Sequence, residues 1–265
     1  MAAEHNPPTV LLVVDVGNTQ THLGVFEDAV LAFDWRFATV RDSTADELGA
    51  RLRSLLDLRD LSFADLGASI LSSTVPQLRP EWTAMADRYL GHQMPVVGPG
   101  VRTGMPIRMD NPREVGPDRL VNAVAAYERL GGPCVVVDFG TALTYDVVSA
   151  GGEYVGGIIA PGISISAEAL FEKAARLWRV EIKRPERVVG KTTAGAIQSG
   201  LYFGYLSLVD GMIDRIAAEI GGNPGVIATG GLAELFGGGS ERIGEVDPLL
   251  TLRGLRLIDE RNRGG

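Results

Sequence analysis

The first clear signal along the chain is an apolar run without a polar break, Val10-Leu11-Leu12-Val13-Val14. A short, mostly β-branched run of this kind predicts a strand buried on both faces. It ends in Asp15-Val16-Gly17-Asn18-Thr19, which reads as a turn, and a second strand is expected over 22–26. Residues 33–37, with polar positions interleaved, predict a third. The period then changes: Leu48, Leu52, Leu55 and Leu56 recur at helical spacing over 44–56, and Asp46 and Glu47 suit the first turn of a helix. Short strands are expected over 68–71 and 95–97, on either side of a helix near 81–90.

Residues 103–116 are rich in Pro, Gly and Asn, the composition of a linker or an active-site loop. A helix is expected from Pro117 or Asp118 to Leu130, opened by proline and closed by Gly131-Gly132. The opening motif then returns. Val13-Val14-Asp15-Val16-Gly17 aligns without gaps on Val136-Val137-Asp138-Phe139-Gly140, which sets Thr21 on Thr144. Two copies so far apart are no solenoid; they predict two similar domains facing each other. Strands are expected over 142–148 and 154–160, then a helix from Pro161-Gly162 to about 177, an irregular basic segment over 179–187, a long helix over 192–220 and a last core strand over 226–229 ending in Gly230-Gly231. Gly195, Gly200, Gly204 and Gly211 are costly inside that long helix unless another backbone packs close. Packing within the domain and a dimer interface both fit.

Composition narrows the function classes. Of 265 residues, 45% are hydrophobic and 22% charged, which is globular composition, and the net charge of −8 without a dense basic patch argues against nucleic-acid or anionic-membrane partners. The single cysteine, Cys134, lies in an apolar run, so an inert buried thiol and a reducing compartment are expected. Neither a signal peptide nor an apolar stretch of the roughly 20 residues that span a bilayer is visible, which predicts a cytoplasmic protein. Three scattered histidines, His5, His22 and His92, disfavour a zinc site or a Ser-His-Asp triad.

An acidic chain must meet phosphates with backbone N–H groups, a metal and a few placed side chains. Two strand–Asp–x–Gly turns facing each other can hold the phosphates of ATP, and an Asp at each strand end makes best sense with bound cations such as Mg²⁺. Gly190-Lys191-Thr192 is no P-loop, because Pro185 stands where that motif needs glycine. Gly230-Gly231 can admit a flat ring to the backbone. Asp118, at a predicted helix start, reads either as a cap or as a base whose pKa the helix lowers; Arg119 can clamp a carboxylate or phosphoryl group.

The blocks Asp15-Val16-Gly17-Asn18-Thr19, Asn111-Pro112-Arg113-Glu114-Val115-Gly116-Pro117-Asp118-Arg119, Asp138-Phe139-Gly140-Thr141, Gly156-Gly157 with Ile159-Ala160-Pro161-Gly162, and Gly190-Lys191-Thr192-Thr193 with Gln198-Ser199-Gly200 follow the order seen in type III pantothenate kinases. The chain resembles that family over roughly 10–257. The resemblance implies an α/β architecture of two duplicated ribonuclease H-like (actin-like) domains with a cleft between them, expected here at 1–117 and 118–265. It implies a homodimer that phosphorylates pantothenate, the first step of coenzyme A biosynthesis, using ATP, Mg²⁺ and a monovalent cation, K⁺ or NH₄⁺. By the same resemblance Asp15, Val16, Gly17, Asn18, Thr19, Gln20, Thr21 and His22 form a phosphate-binding segment, joined by Thr141. Gly116, Pro117, Asp118 and Arg119 hold pantothenate together with Thr193. Asp118 is the base on its hydroxyl, and Asp138 binds the monovalent cation.

Three positions depart from the family pattern: Pro117 stands for the usual Ala, Met109 for a frequent aromatic residue, and Thr192 for a frequent Asn. The competing readings are a non-catalytic nucleotide-binding accessory or regulatory protein, and an actin-like kinase for another small acceptor. The retained Asp15, Asp118, Arg119 and Asp138 weigh against the first.

Overall fold

The computed structural model describes residues 10–174 and 177–263. The chain forms two compact units that interleave along the sequence. The first comprises the chain up to Gly104, Arg113–Ala125, and Thr251 onward; the second comprises Met105–Pro112 and Ala126–Leu250. This division differs from a single cut at 117/118, because the helix that starts at Pro117 contributes to both units and the end of the described chain returns to the first.

In the first unit, β1 (Val10–Val16), β2 (Gln20–Glu27), β3 (Val30–Ala38) and β4 (Leu66–Ser73) form a sheet of order β3-β2-β1-β4, with β4 parallel to β1. Leu12, Val14 and Val16 turn one way and join Leu23 and Val25 in a core with α1 (Ala45–Asp57) and α2 (Leu78–Met85). Thr44 starts α1 with a capping box closed by Glu47. The helix expected near 81–90 begins earlier, at Leu78, and its last turn, Ala86–Leu90, is π-type and stopped by the left-handed Gly91. The strand expected over 95–97 is a single parallel bridge from Val96 to Leu71.

The opposite face of this sheet is covered from far along the chain. Helix α3 (Pro117–Leu130) forms as its proline and double glycine predict, and α7 (Leu250–Arg263) packs beside its first half. Gly24 leaves the space that Leu252 fills, Gly254 lies directly against the Val121 backbone, and Arg256 sits over the Phe26 ring. Asn262 exchanges hydrogen bonds with the Arg102 backbone in both directions.

In the second unit, β5 (Cys134–Phe139), β6 (Ala142–Val148), β7 (Tyr154–Pro161), β8 (Gly225–Thr229) and β9 (Glu245–Val246) take the order β7-β6-β5-β8-β9, with β8 parallel to β5. Val135, Val137, Phe139, Leu143 and Tyr145 pack with α4 (Ile163–Lys173), α5 (Thr193–Ile220) and α6 (Ala233–Gly237). The helix expected to reach about 177 ends at Lys173; residues 175 and 176 lie outside the described ones. Cys134 is fully buried, and burial pushes its thiol up to about 12, so it is inert at neutral pH. Among the described residues no helix is long and apolar enough to cross a membrane.

The two sheets share one plan: two antiparallel neighbours on one side of the first strand and a parallel neighbour on the other. A fifth position follows, occupied by β9 in the second unit and reduced to the Val96 bridge in the first. The duplication expected from the repeated Val-Val-Asp-x-Gly is therefore structural.

Candidate active site

Asp15 stands near the end of β1, directly opposite His22 on β2. Between them the chain turns tightly, the Gly17 N–H donating to the Gln20 carbonyl at 3.0 Å. Asn18, Thr19 and Gln20 are exposed at the tip, whereas Val16, Thr21 and His22 are buried. The buried ones hold the turn. Thr21 Oγ1 lies 2.9 Å from Thr39 Oγ1, which donates to the Gly17 carbonyl at 2.8 Å, and the Thr39 N–H donates to the Thr19 carbonyl at 2.9 Å. His22 Nε2 is 2.9 Å from Asp34 Oδ2; burial outweighs this contact, and with Arg36 nearby the His22 pKa falls below its ordinary value. The eight residues expected to bind phosphate thus divide into an exposed tip, a buried support and, between them, the half-buried Asp15 and Gly17.

The second hairpin repeats the first with one residue fewer. Asp15 pairs with His22, but Asp138 pairs with Thr144, and the turn bond runs from the Gly140 N–H to the Ala142 carbonyl. The gap-free alignment of Thr21 on Thr144 is corrected here: by strand register the counterpart of Thr144 is His22. Thr141 is exposed at the shortened tip and Asp138 is half-buried. Glycines surround this corner. Gly162, which opens α4, lies against the Thr141 carbonyl, and Gly230, at φ 94°, lies against Asp138 Oδ1 and the Phe139 backbone. Any Cβ on Gly230 would fill the space beside the carboxylate. Gly231 next to it opens onto free space.

Pro117 occupies the first position of α3, where its missing N–H costs nothing. The Gly116 carbonyl accepts the first helical bond, from the Leu120 N–H at 3.1 Å. Asp118 follows in the first turn, half-buried, with Oδ1 so close to Gly116 that a Cβ there would come within 2.6 Å of it. Burial raises the Asp118 pKa above the ordinary carboxylate value, against the opposing pull of the Arg119 N–H, the Arg119 charge and its own N–H. The helix terminus alone predicts the reverse, so desolvation wins. A carboxylate lifted in this way is a better proton acceptor.

At the start of α5, Thr192 is the N-cap: its hydroxyl accepts from the Gly195 N–H at 3.0 Å. Thr192 therefore does what the frequent Asn does at a cap, and Thr193 is left exposed in the first turn. Gly190 lies against the backbone of Ala196, which ties the preceding loop to this turn. Further along, a Cβ at Gly200 or Gly204 would meet nothing within 4 Å among the described residues. Packing inside the unit does not explain those two glycines.

No group of three or more His, Cys, Asp or Glu side chains converges among the described residues. Mg²⁺ bound through one carboxylate and substrate phosphates needs no such cage, and beside Asp138 the Gly230 backbone approaches the carboxylate as only a residue without a Cβ can. Reading from sequence missed two hydroxyls: Ser72 pairs in register with Asp15 across β1 and β4, and Thr229 with Asp138 across β5 and β8. Their signal was the small polar ending of each otherwise apolar strand.

The model of the type III pantothenate kinase family matches residues 11–215. Curated relatives carrying that name include proteins of Koribacter versatilis, 53% identical with 96% of both chains covered, and Moorella thermoacetica, 52% identical over 96% of this chain and 100% of that one. Among solved structures, a conserved putative Baf family transcriptional activator from Campylobacter jejuni matches with TM-score 0.60 and 19% identity, over 96% of this chain and 100% of that one. The ethanolamine utilization protein EutJ from Carboxydothermus hydrogenoformans matches with TM-score 0.54 and 15% identity, over 96% and 92%. At such identity these structures speak for the fold alone.

Proposed function

Because the chain belongs to the type III pantothenate kinase family, we propose that it transfers the γ-phosphoryl group of ATP to the hydroxyl of pantothenate, forming 4'-phosphopantothenate in the first step of coenzyme A biosynthesis. The observation that carries the mechanism is Asp118: a half-buried carboxylate of raised pKa in a helix first turn, given room by Gly116. It accepts a hydrogen bond from the pantothenate hydroxyl and aims the oxygen at the γ-phosphorus. The new O–P bond forms as the bond to the bridging oxygen breaks, ADP leaves, and the hydroxyl proton passes to Asp118. Phosphoryl transfer demands little early proton removal, so orientation is the larger share of that work.

Gly116, Pro117, Arg119 and Thr193 hold pantothenate, with Arg119 facing its carboxylate or the transferring group. Asn18, Thr19, Gln20 and Thr141, each exposed at its own hairpin tip, carry the donors assigned to the phosphates. Asp15 would hold Mg²⁺ with the nucleotide and Asp138 would hold K⁺ or NH₄⁺, cations that would supply the positive charge these carboxylates need beside phosphate. The protein acts as a homodimer in the cytoplasm; the uncovered glycines of α5 support the first point and the single buried Cys134 the second.

The test is ATP consumption by the purified protein with pantothenate in K⁺, NH₄⁺ or Na⁺ buffer. Pantothenate-dependent turnover that requires K⁺ or NH₄⁺ is expected. Turnover only with another acceptor, or none from a folded ATP-binding protein, overturns the reading in favour of a different kinase or an accessory protein.

A further inference from the structure

Ser72 is fully buried on β4, and its hydroxyl has no hydrogen-bond partner among the described residues. Such a group is costly: leaving a buried hydroxyl unsatisfied sacrifices the water it bonded in the unfolded chain, and alanine at the same place avoids that loss. The other serines and threonine at this strand end are used. Ser69 bonds His92 at 2.9 Å, Ser73 bonds the Val75 carbonyl at 3.0 Å, and Thr74 bonds the Val16 carbonyl at 3.1 Å.

Its position explains the exception. Ser72 is the parallel register partner of Asp15, so both side chains rise from the same face of adjacent strands, about 4.8 Å apart. The second unit repeats the arrangement with Thr229, also buried, beside Asp138. The pairs one step earlier are apolar in both units, Val14 with Leu71 and Val137 with Ala228. A hydroxyl beside each strand-end carboxylate is therefore a feature of the duplicated frame.

We propose that Ser72 is a positioning residue for Asp15: a turn about its one side-chain torsion lets its hydroxyl donate to the carboxylate when magnesium nucleotide binds, fixing the orientation in which Asp15 meets the cation. The inference rests on the kinase reading above. With no partner for the hydroxyl among the described residues other than the carboxylate it can turn to, its effect belongs to binding and not to folding.

The experiment compares wild type, Ser72→Ala and Ser72→Thr in the full chain. Thermal unfolding is followed without ligand and during titration with a non-hydrolysable ATP analogue, at fixed and varied Mg²⁺; KM for MgATP and kcat are measured in parallel. In Ser72→Ala the ligand-free melting temperature is expected to hold or rise, while the Kd for the magnesium analogue and the KM for MgATP each rise about tenfold, the size of one hydrogen bond to a charged group. Ser72→Thr, which copies the hydroxyl of Thr229, is expected to restore binding. A Ser72→Ala protein that binds the magnesium analogue within twofold of wild type overturns the proposal, and so does a weakened ligand-free fold with unchanged Kd. Absence of pantothenate-dependent turnover in wild type, with the Ser72 effect on analogue binding intact, would instead strike the kinase reading alone.

Discussion

Gly116 and Asp118 are fitted to each other: the space where a side chain at Gly116 would begin is bordered by Asp118 Oδ1. A Gly116→Ala protein must push the carboxylate aside. The carboxylate is the free end of a side chain and can move, so the stability change is expected to stay within about 1 kcal/mol. Turnover is expected to fall roughly 100-fold, as for a reacting group displaced by an ångström. Steady-state kinetics beside thermal unfolding separates the two effects.

Asp118→Asn is expected to lower turnover by roughly 10²–10⁴-fold and to leave the fold no less stable. The sign follows from linkage. A carboxyl whose pKa is raised by folding stabilises the folded state below its unfolded pKa, and that contribution is lost as pH rises through the folded value. Where Asp118 is ionised, its charge is therefore a burden on the fold that asparagine relieves. In wild type, turnover should fall on acidification at a pH above that of an ordinary aspartate, and wild-type-like turnover in Asp118→Asn would reassign the residue to capping.

Gly230→Ala tests the corner at Asp138. Gly230 has φ 94°, and a Cβ would lie 2.7 Å from the Phe139 carbonyl carbon as well as against the carboxylate. Backbone cannot yield as a side chain can, so a loss of about 2–4 kcal/mol is expected in denaturant unfolding. Whatever activity remains should respond less to K⁺.

Gly204→Arg and Gly200→Ala test the uncovered stripe on α5. The Cβ of neither meets an atom within 4 Å among the described residues, and Gly200→Ala removes a helix penalty of about 1 kcal/mol. Both are expected to fold, but Gly204→Arg should elute as a monomer with weakened turnover. A dimeric Gly204→Arg by light scattering would place the subunit contact elsewhere.

Much of the fold was readable because its central strands β1 and β5 carry unbroken apolar runs and its helices carry strong punctuation. Helix α3 begins at Pro117 and ends before Gly131-Gly132 as expected, and α1 starts within a residue of its predicted place, fixed by Thr44 and Glu47. What escaped was set by distant partners. Helix α7 was not anticipated, although Leu252, Leu255 and Ile258 mark one apolar side, because its role depends on a sheet made more than two hundred residues earlier. The hairpin offset between Thr21 and Thr144 escaped because a gap-free alignment cannot see a shortened turn. The candidate site was legible as motifs, but the raised pKa of Asp118 was not: helix polarity is local and can be read in order along the chain, while desolvation depends on what folds around the group.

The return of α7 to the first unit also bears on how the protein is made. Synthesis delivers β1, β2, β3 and β4 early, yet the sheet face bearing Val13 and Gly24 is closed by Leu252 and its neighbours, which emerge more than two hundred residues later. The second unit, contiguous apart from one short segment, can condense on the nascent chain while the first still exposes an oily surface. The half of the enzyme whose strands are translated first thus has this sheet face covered only after the second unit has emerged.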